Sequence, residues 1–383
     1  MSALQEYFGE KHNKLRKGVR KFVEREITPF VDEWEEQGEF PLELYQKAGQ
    51  AGILGIGYPE AYEGSAGDIF LKIASAEELM RCGSAGVVAG LGSLDISVPP
   101  ILSLGTEEQK SRFVPPVLRG NKISSLGITE PGAGSDVASI STTAVRRGSH
   151  YVVNGTKIFI TSGVRADQLT CAVRTGGQGY QGISLLVIES ITPGYSVSEK
   201  LKKLGWWASD TAQIFLDECK VPVENLLGAE GQGFYGIMEN FQNERLQLSV
   251  MANMTAQLAL EESVKYVREA EVSGRPLWKS QTTRHKLSDM ATLVEASREF
   301  TYRIAANIDA GKNQVKEISM AKNFACMVSD KVTCDALEIH GGLGYMRPSL
   351  VERLYRDNRI LSIGGGTQEI MKEVISKFIN DRR

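Results

Sequence analysis

The hydrophobic pattern changes period twice along the chain. Near the start, apolar residues recur three or four apart in "LRKGVRKFVEREITPFVDEW", at Leu15, Val19, Phe22, Val23, Ile27 and Phe30. That spacing lays one apolar stripe along a helix. Further helices are predicted near "PLELYQKAGQAG" and "FLKIASAEELMRCG". From about residue 123 to about 230 the text shifts to short β-rich runs broken by turns: "HYVVNGTKIFI", "QLTCAV", "ISLLVIES" and "TAQIFLDECKV". Asn154-Gly155, between two such runs, reads as a hairpin turn. From Gly233 the helical period returns in long segments. Blocks of helices, strands and helices again imply separate layers, not an alternating α/β sheet. The prediction is an α+β chain, mostly α, with a helical domain at 1–122, a β domain at 123–232 and a second helical domain at 233–383.

Composition narrows the partners. The chain has 383 residues, enough for two or three domains with ample core. With 44 basic and 47 acidic residues its net charge is −3, so no basic stripe for nucleic acid is implied. No apolar run approaches the ~18 residues of a membrane span. The N-terminal "MSALQEYFGEKHNKLRK" has no apolar core and reads as untargeted, hence cytoplasmic. Five scattered cysteines, an odd number, suit reduced thiols better than a disulfide framework. Four histidines at no ligand spacing argue against a structural metal.

Two segments imitate a dinucleotide fingerprint. "GQGYQG" (Gly177 to Gly182) and "GQGFYG" (Gly231 to Gly236) both fit G-x-G-x-x-G. That motif needs a strand before it and a helix after it. The first runs into the strand-like "ISLLVI" and reads as a hairpin loop. The second follows the loop "PVENLLGAE" and reads as a helix entry.

The most informative segment is "ITEPGAGSD", Ile128 to Asp136. Gly132 and Gly134 expose successive backbone N–H groups and Ser135 adds a hydroxyl, which together make an anion-accepting nest. Farther on, "FITSG" carries Phe159 and Thr161 at alternate strand positions, hence on one face. An aromatic wall with hydroxyl donors suits a flat heteroaromatic ring. By spacing alone, a polar loop beside a core phenylalanine fits as well.

Taken together, several segments resemble the acyl-CoA dehydrogenase family over nearly the whole chain. "GTEEQK" (Gly105 to Lys110), "TEPGAGSD", "KLGWWASDTAQIFLDECKVPVENLLG" (Lys203 to Gly228), "EIHGGLGYM" (Glu338 to Met346) and "GGGTQEI" (Gly364 to Ile370) match its elements in order. The resemblance implies a helical N-domain, a central β-barrel and a C-terminal four-helix bundle, with FAD between the last two. It also implies a homotetramer and an electron-transfer flavoprotein as acceptor. Residue by residue it assigns Ile128, Thr129, Gly134 and Ser135 to the flavin. Phe159 takes the place of the usual tryptophan, and Thr161 is the hydroxyl partner. Gln281, Glu338, Gly342, Thr367 and Glu369 join the cofactor set, the last two on the adenosine side.

Family chemistry removes a proton from C2 of an acyl thioester while hydride leaves C3. That needs a carboxylate base and donors on the thioester oxygen. Many members carry the base in Tyr-Glu-Gly-Thr, where this chain has Gly364-Gly365-Gly366-Thr367. The isovaleryl and long-chain types draw it instead from an upstream Glu-Arg-Leu, which matches Glu244-Arg245-Leu246. Periodicity points the same way. Ile237, Phe241, Glu244, Leu248 and Met251 share one helical stripe, apolar except for Glu244. A carboxylate on a buried stripe is uncommon, and desolvation would raise its pKa. A structural ion pair or a side chain reaching solvent would also place it there. Gly365 is expected to keep a backbone N–H for the thioester oxygen. Arg245 is expected to orient that end or bind substrate, or else to form a surface salt bridge. Gly364, in place of tyrosine, opens room for an acyl chain branched near C3.

Three departures stand out. The family's Arg-x-x-Phe-Gly appears as Ala270-Glu271-Val272-Ser273-Gly274, and its usual glutamine near the cofactor diphosphate is Glu338. A lost cation and a gained anion disfavour a diphosphate. Arg268 and Arg275 are the nearby cations that could compensate. Besides an acyl-CoA dehydrogenase acting on a 3-methyl-branched or medium to long chain, two alternatives follow. One is a non-catalytic acyl-CoA-binding relative; the other is an acyl-CoA oxidase.

Overall fold

A computed structural model describes residues 6–380. The N-terminal part is helical: α1 (Glu10–Glu26), α2 (Val31–Gln37), α3 (Glu43–Gln50), α4 (Ile69–Met80), α5 (Ala85–Leu91), α6 (Leu94–Ser97), α7 (Pro99–Leu104), α8 (Glu107–Phe113) and α9 (Pro115–Leu118). The single stripe expected from Leu15 to Phe30 is broken between α1 and α2, and Phe30 lies exposed. Pro29 supplies no N–H and disfavours helical backbone at Thr28. The "GTEEQK" element is a capping box. Thr106 and Gln109 cap α8, and the Gln109 amide also donates to the carbonyls of Glu224 (2.6 Å) and Leu226 (2.7 Å), tying the helices to the sheet.

The middle part is one eight-stranded sheet: β1 (Ser124–Gly127), β2 (Thr143–Arg147), β3 (His150–Thr161), β4 (Gln168–Arg174), β5 (Ile183–Glu189), β6 (Tyr195–Val197), β7 (Thr211–Pro222) and β8 (Leu226–Leu227). The order is β6-β7-β3-β2-β4-β5-β8, with β1 joined parallel to β4. The sheet encloses a core of its own, including Tyr151, Leu169, Leu186 and Ile214. The expected barrel is not closed, because β6 and β8 remain edge strands. Asn154-Gly155 is not a turn. It is a register shift inside β3, where Asn154 exchanges hydrogen bonds with Glu218 of β7 (2.6 and 2.8 Å). A Cβ on Gly155 would lie 2.4 Å from the Thr142 hydroxyl, so close approach of backbone explains the glycine.

The C-terminal part contains α10 (Gly233–Glu269), a short hairpin of β9 (Glu271–Val272) and β10 (Arg275–Pro276), α11 (Gln281–Asp309), α12 (Val315–His340), α13 (Gly342–Tyr345), α14 (Leu350–Asn358) and α15 (Gln368–Asn380). Helices α10, α11, α12 and α15 form the four-helix bundle. Ser273 and Gly274 both have positive φ, 52° and 72°, and form the tip of the hairpin. Helix α4 lies along α10 in the same direction. Phe70 and Ile73 pack with Leu246 and Val250 at one end, and Arg81 meets Glu261 at 3.2 Å at the other.

Candidate active site

A cavity of about 700 Å³ lies where the sheet, α4, α10 and the loop before α15 meet. Helix α10 presents Phe241, Glu244, Leu248 and Met251 to it, as the periodicity predicts. Glu244 is half-buried and its carboxylate makes no hydrogen bond with the described residues. Burial raises its pKa, opposed by the nearby charges of Arg245 and Lys322. The carboxylate is thus desolvated and free to take a proton.

The three glycines face it. Gly365 and Gly366 have φ of +63° and +99°, a region that side chains other than glycine rarely adopt. A Cβ built on Gly365 would meet Leu248 Cδ1 at 2.6 Å and Glu244 Oε1 at 3.4 Å. Leu248 and, beside it, the Glu244 carboxylate therefore occupy the space into which a side chain at 365 would point. At Gly364 a Cβ would meet nothing nearer than the Ile360 carbonyl at 3.5 Å, so that side of the loop is open. Two cations hold the loop from behind. Arg245 Nε donates to the Gly365 carbonyl at 3.2 Å, and Lys322 Nζ donates to the Gly366 carbonyl. Arg245 is buried, so the surface salt bridge is excluded. With both carbonyls turned toward cations, the N–H groups of Gly366 and Thr367 point away from them. None of the N–H groups of residues 365–367 donates within the described protein.

The opposite wall comes from the sheet. A register shift between Lys157 and Ile160 turns Phe159 outward at φ +61°, leaving it 66% exposed toward the cavity. Thr129, Ser135 and Thr161 line the same cavity, and their hydroxyls have no protein partner among the described residues. The loop bearing them is fixed underneath by a fully buried pair. Lys157 Nζ reaches Glu130 Oε1 at 2.7 Å and the Ile128 carbonyl at 3.1 Å. Glu130 also accepts from the backbone N–H groups of Ser141 and Thr142. The lysine and these donors hold its carboxyl down at about 2 despite burial. An exposed aromatic face edged by unused hydroxyls fits a flavin ring, and the Gly134 Cβ position is open.

The remaining predicted residues are dispersed. Ile128 and Thr367 line the cavity; Glu369 stands outside it at the start of α15. Gln281, Glu338 and Gly342 also lie outside it, at one end of the α11–α12 pair. There Lys286 binds the Glu338 carboxylate and lies 3.7 Å from Asp335, so the unfavourable anion at 338 has a cation against it. Sequence reasoning missed Lys322, Lys157 and Glu130. Lys322 carried the same signal as Glu244: it shares the stripe of Ile318, Cys326 and Ser329 on α12. It also missed Trp206, which lines the cavity with its buried indole N–H unpartnered.

Comparison with known proteins agrees over the whole length. Family models for the acyl-CoA dehydrogenase N-terminal, middle and C-terminal domains match residues 9–121, 125–219 and 231–380. An acyl-CoA dehydrogenase of Bacillus subtilis is 40% identical over 367 residues, covering 95% of this chain and 97% of that one. The crystal structure of a probable acyl-CoA dehydrogenase from Mycobacterium abscessus superposes with a TM-score of 0.96 at 49% identity, covering 98% and 100%. An acyl-CoA dehydrogenase from Bacillus anthracis, solved in complex with FAD, gives 0.91 at 29% identity, over 97% of this chain and 67% of that one. With all three family models matched in order between residues 9 and 380 and a relative 40% identical over nearly its whole length, the chain belongs to the acyl-CoA dehydrogenase family.

Proposed function

We propose that the protein is an FAD-dependent acyl-CoA dehydrogenase that converts a saturated acyl-CoA to the trans-2-enoyl-CoA with Glu244 as base. The observation that carries this reading is the 3.4 Å between Glu244 Oε1 and the Cβ position at residue 365. A carboxylate reaching the cavity from α10 and one reaching it from residue 365 would meet at the same place.

Each residue has a separable task. Gly365 N–H donates to the thioester oxygen, which acidifies the C2 proton; such a donor contributes ~100-fold or more in rate. Glu244 accepts that proton on a carboxylate oxygen, its basicity raised by burial. Leu248 and Met251 keep water away from it. Phe159, Thr161, Thr129 and Ser135 would hold the ring of FAD, which would supply the acceptor for the hydride lost from C3. Arg245 fixes the glycine loop and Gly364 leaves room beside the acyl chain. That room supports a 3-methyl-branched substrate, or a medium to long one. Gln281, Glu338 and Gly342, outside the chain's own cavity, would meet the cofactor of a neighbouring copy in a homotetramer. Exposed Leu343, Tyr345 and Met346 on and beside α13 support such packing. Electron-transfer flavoprotein is the proposed acceptor.

Anaerobic bleaching of the bound flavin by straight and 3-methyl acyl-CoAs tests the reading. We expect bleaching that is fastest with a branched chain. Protein without flavin absorbance even after addition of FAD would overturn it, and stoichiometric peroxide release in air would make it an oxidase. Glu244→Gln keeps flavin and ligand binding but is expected to lose flavin reduction by at least ~1000-fold. Reduction near the wild-type rate would remove Glu244 as base.

A further inference from the structure

The cavity wall contributed by the N-terminal helices has a chemistry that hydrocarbon does not satisfy. Helix α4 turns Lys72, Ser75, Ala76 and Leu79 toward the cavity, spaced i, i+3, i+4 and i+7 on one stripe. The segment between α5 and α6 adds Ser93, and α6 adds Asp95. Ser75 and Ser93 are 6% and 2% exposed. Neither hydroxyl makes a hydrogen bond with any described residue. A serine inside a helix ordinarily turns its hydroxyl to the carbonyl four residues back, as Ser249 does to Arg245 at 2.8 Å. Ser75 does not. Both residues line the cavity, and neither oxygen is among the sealed, unpaired polar atoms, so both hydroxyls open onto the cavity with their hydrogen bonds left to whatever fills it.

The charges beside them are already matched. Lys72 Nζ lies 3.4 Å from Asp95 Oδ1 and 4.0 Å over the Tyr58 ring, while the Tyr58 hydroxyl donates to Asp95 at 2.8 Å. The patch is therefore polar but net neutral. A carboxylate placed there would face the like charge of Asp95 across the single cation Lys72, whereas a hydroxyl or carbonyl needs only the two free serines. The ring-binding hydroxyls belong to the opposite wall, on the sheet. What reaches Ser75 and Ser93 is thus the acyl chain beyond its reacting carbons.

We propose that the substrate's acyl chain carries an uncharged hydrogen-bonding group, a hydroxyl or a carbonyl, beyond C3, and that Ser75 and Ser93 select for it. This rests on the reading of the cavity as an acyl-CoA site but not on the chemistry performed there. The test is therefore equilibrium binding of unreactive S-alkyl-CoA thioethers by calorimetry to the flavin-loaded protein. The ligands are a parent octyl chain, its derivatives with one hydroxyl at C4, C6 or C8, and one with a terminal carboxylate. At least one hydroxylated ligand is expected to bind roughly tenfold tighter than the parent, the size of one well-made buried hydrogen bond. In the Ser75→Ala/Ser93→Ala double variant that ratio falls to near one. Equal or weaker binding of every hydroxylated ligand, a preference unchanged in the double variant, or preference for the carboxylate would each overturn the proposal. Flavin reduction by saturated acyl-CoAs, run in parallel, separates the two readings. Selective binding without reduction removes the dehydrogenation and leaves this inference standing. Reduction without selectivity does the reverse.

Discussion

Two lysines with no exposed surface stand behind the two walls of the cavity, and they differ in what else they touch. Lys157 and Lys322 each donate to the carbonyl of a loop that lines the site. Lys157 also has a carboxylate in contact, Glu130, itself held by three further donors. Lys322 has no carboxylate within salt-bridge distance among the described residues; Glu244 influences it only through space. The consequences are opposite. The paired lysine makes a fixed cradle whose carboxylate stays charged throughout the physiological range. The unpaired one steadies a loop while leaving Glu244 able to change its protonation. On the proposed function, the wall that would hold a ring has the first arrangement and the wall that would move a proton has the second.

The comparison can be broken in order of expected effect. The largest is Glu244→Gln, with its loss of flavin reduction. The same variant should gain stability at neutral pH, with thermal unfolding higher by roughly 1–3 °C, because a desolvated charge is removed. The sign follows from Glu244's raised pKa. The folded state holds this proton more tightly, so the group lowers stability as pH rises above the unfolded carboxyl value. Glu130 runs the other way. Held at about 2, it contributes stability that is complete above the unfolded value near 4.5 and lost as pH falls from there toward 2. That contribution is of the order of 3 kcal/mol, and urea titrations at pH 3 and pH 7 would reveal it.

Next is Lys157→Met, which leaves Glu130 buried without its cation. About 3–5 kcal/mol of stability should be lost, read from the same titrations, and flavin should dissociate more readily. Lys322→Met should cost less, about 1–3 kcal/mol, for the Gly366 carbonyl left unpaired. Its distinguishing effect is on the pH profile of flavin reduction. Removing a cation near Glu244 should raise the pKa of the base and so shift the acidic limb to higher pH, and Lys322→Arg should restore much of it. A profile unmoved by Lys322→Met would show that this lysine holds the loop without tuning the base. Smallest is the contrast within the loop. Gly365→Ala meets both a positive φ and Leu248, at a cost of about 1–2 kcal/mol. Gly364→Ala meets open space and should leave stability within about 0.5 kcal/mol while narrowing tolerance for 3-methyl chains.

The block order of helices and strands was legible because each element buries one face, and the period of that face is written locally. So was the stripe that carries Glu244. The long first helix misread at Pro29, and Asn154-Gly155 misread as a turn, both show local signals overruled. Backbone geometry at the proline broke the first. The pairing of two long strands absorbed the second as a bulge. Gln281, Glu338, Gly342 and Glu369 do not come to the cavity that gathers the other predicted residues, since nothing in a motif says which side of a bundle it will face.

The sequence by itself determined the element types, the family, and the absence of a carboxylate at Gly365, because these depend on periodicity and on the residue at each position. Only the tertiary structure decided that Leu248 and Glu244 together occupy the space vacated at 365. It alone set Lys322 behind the glycine loop and turned two unpaired serines toward the cavity. Residues 244, 322 and 365 lie far apart in the chain, and burial of a charge becomes a chemical property only when distant segments close around it.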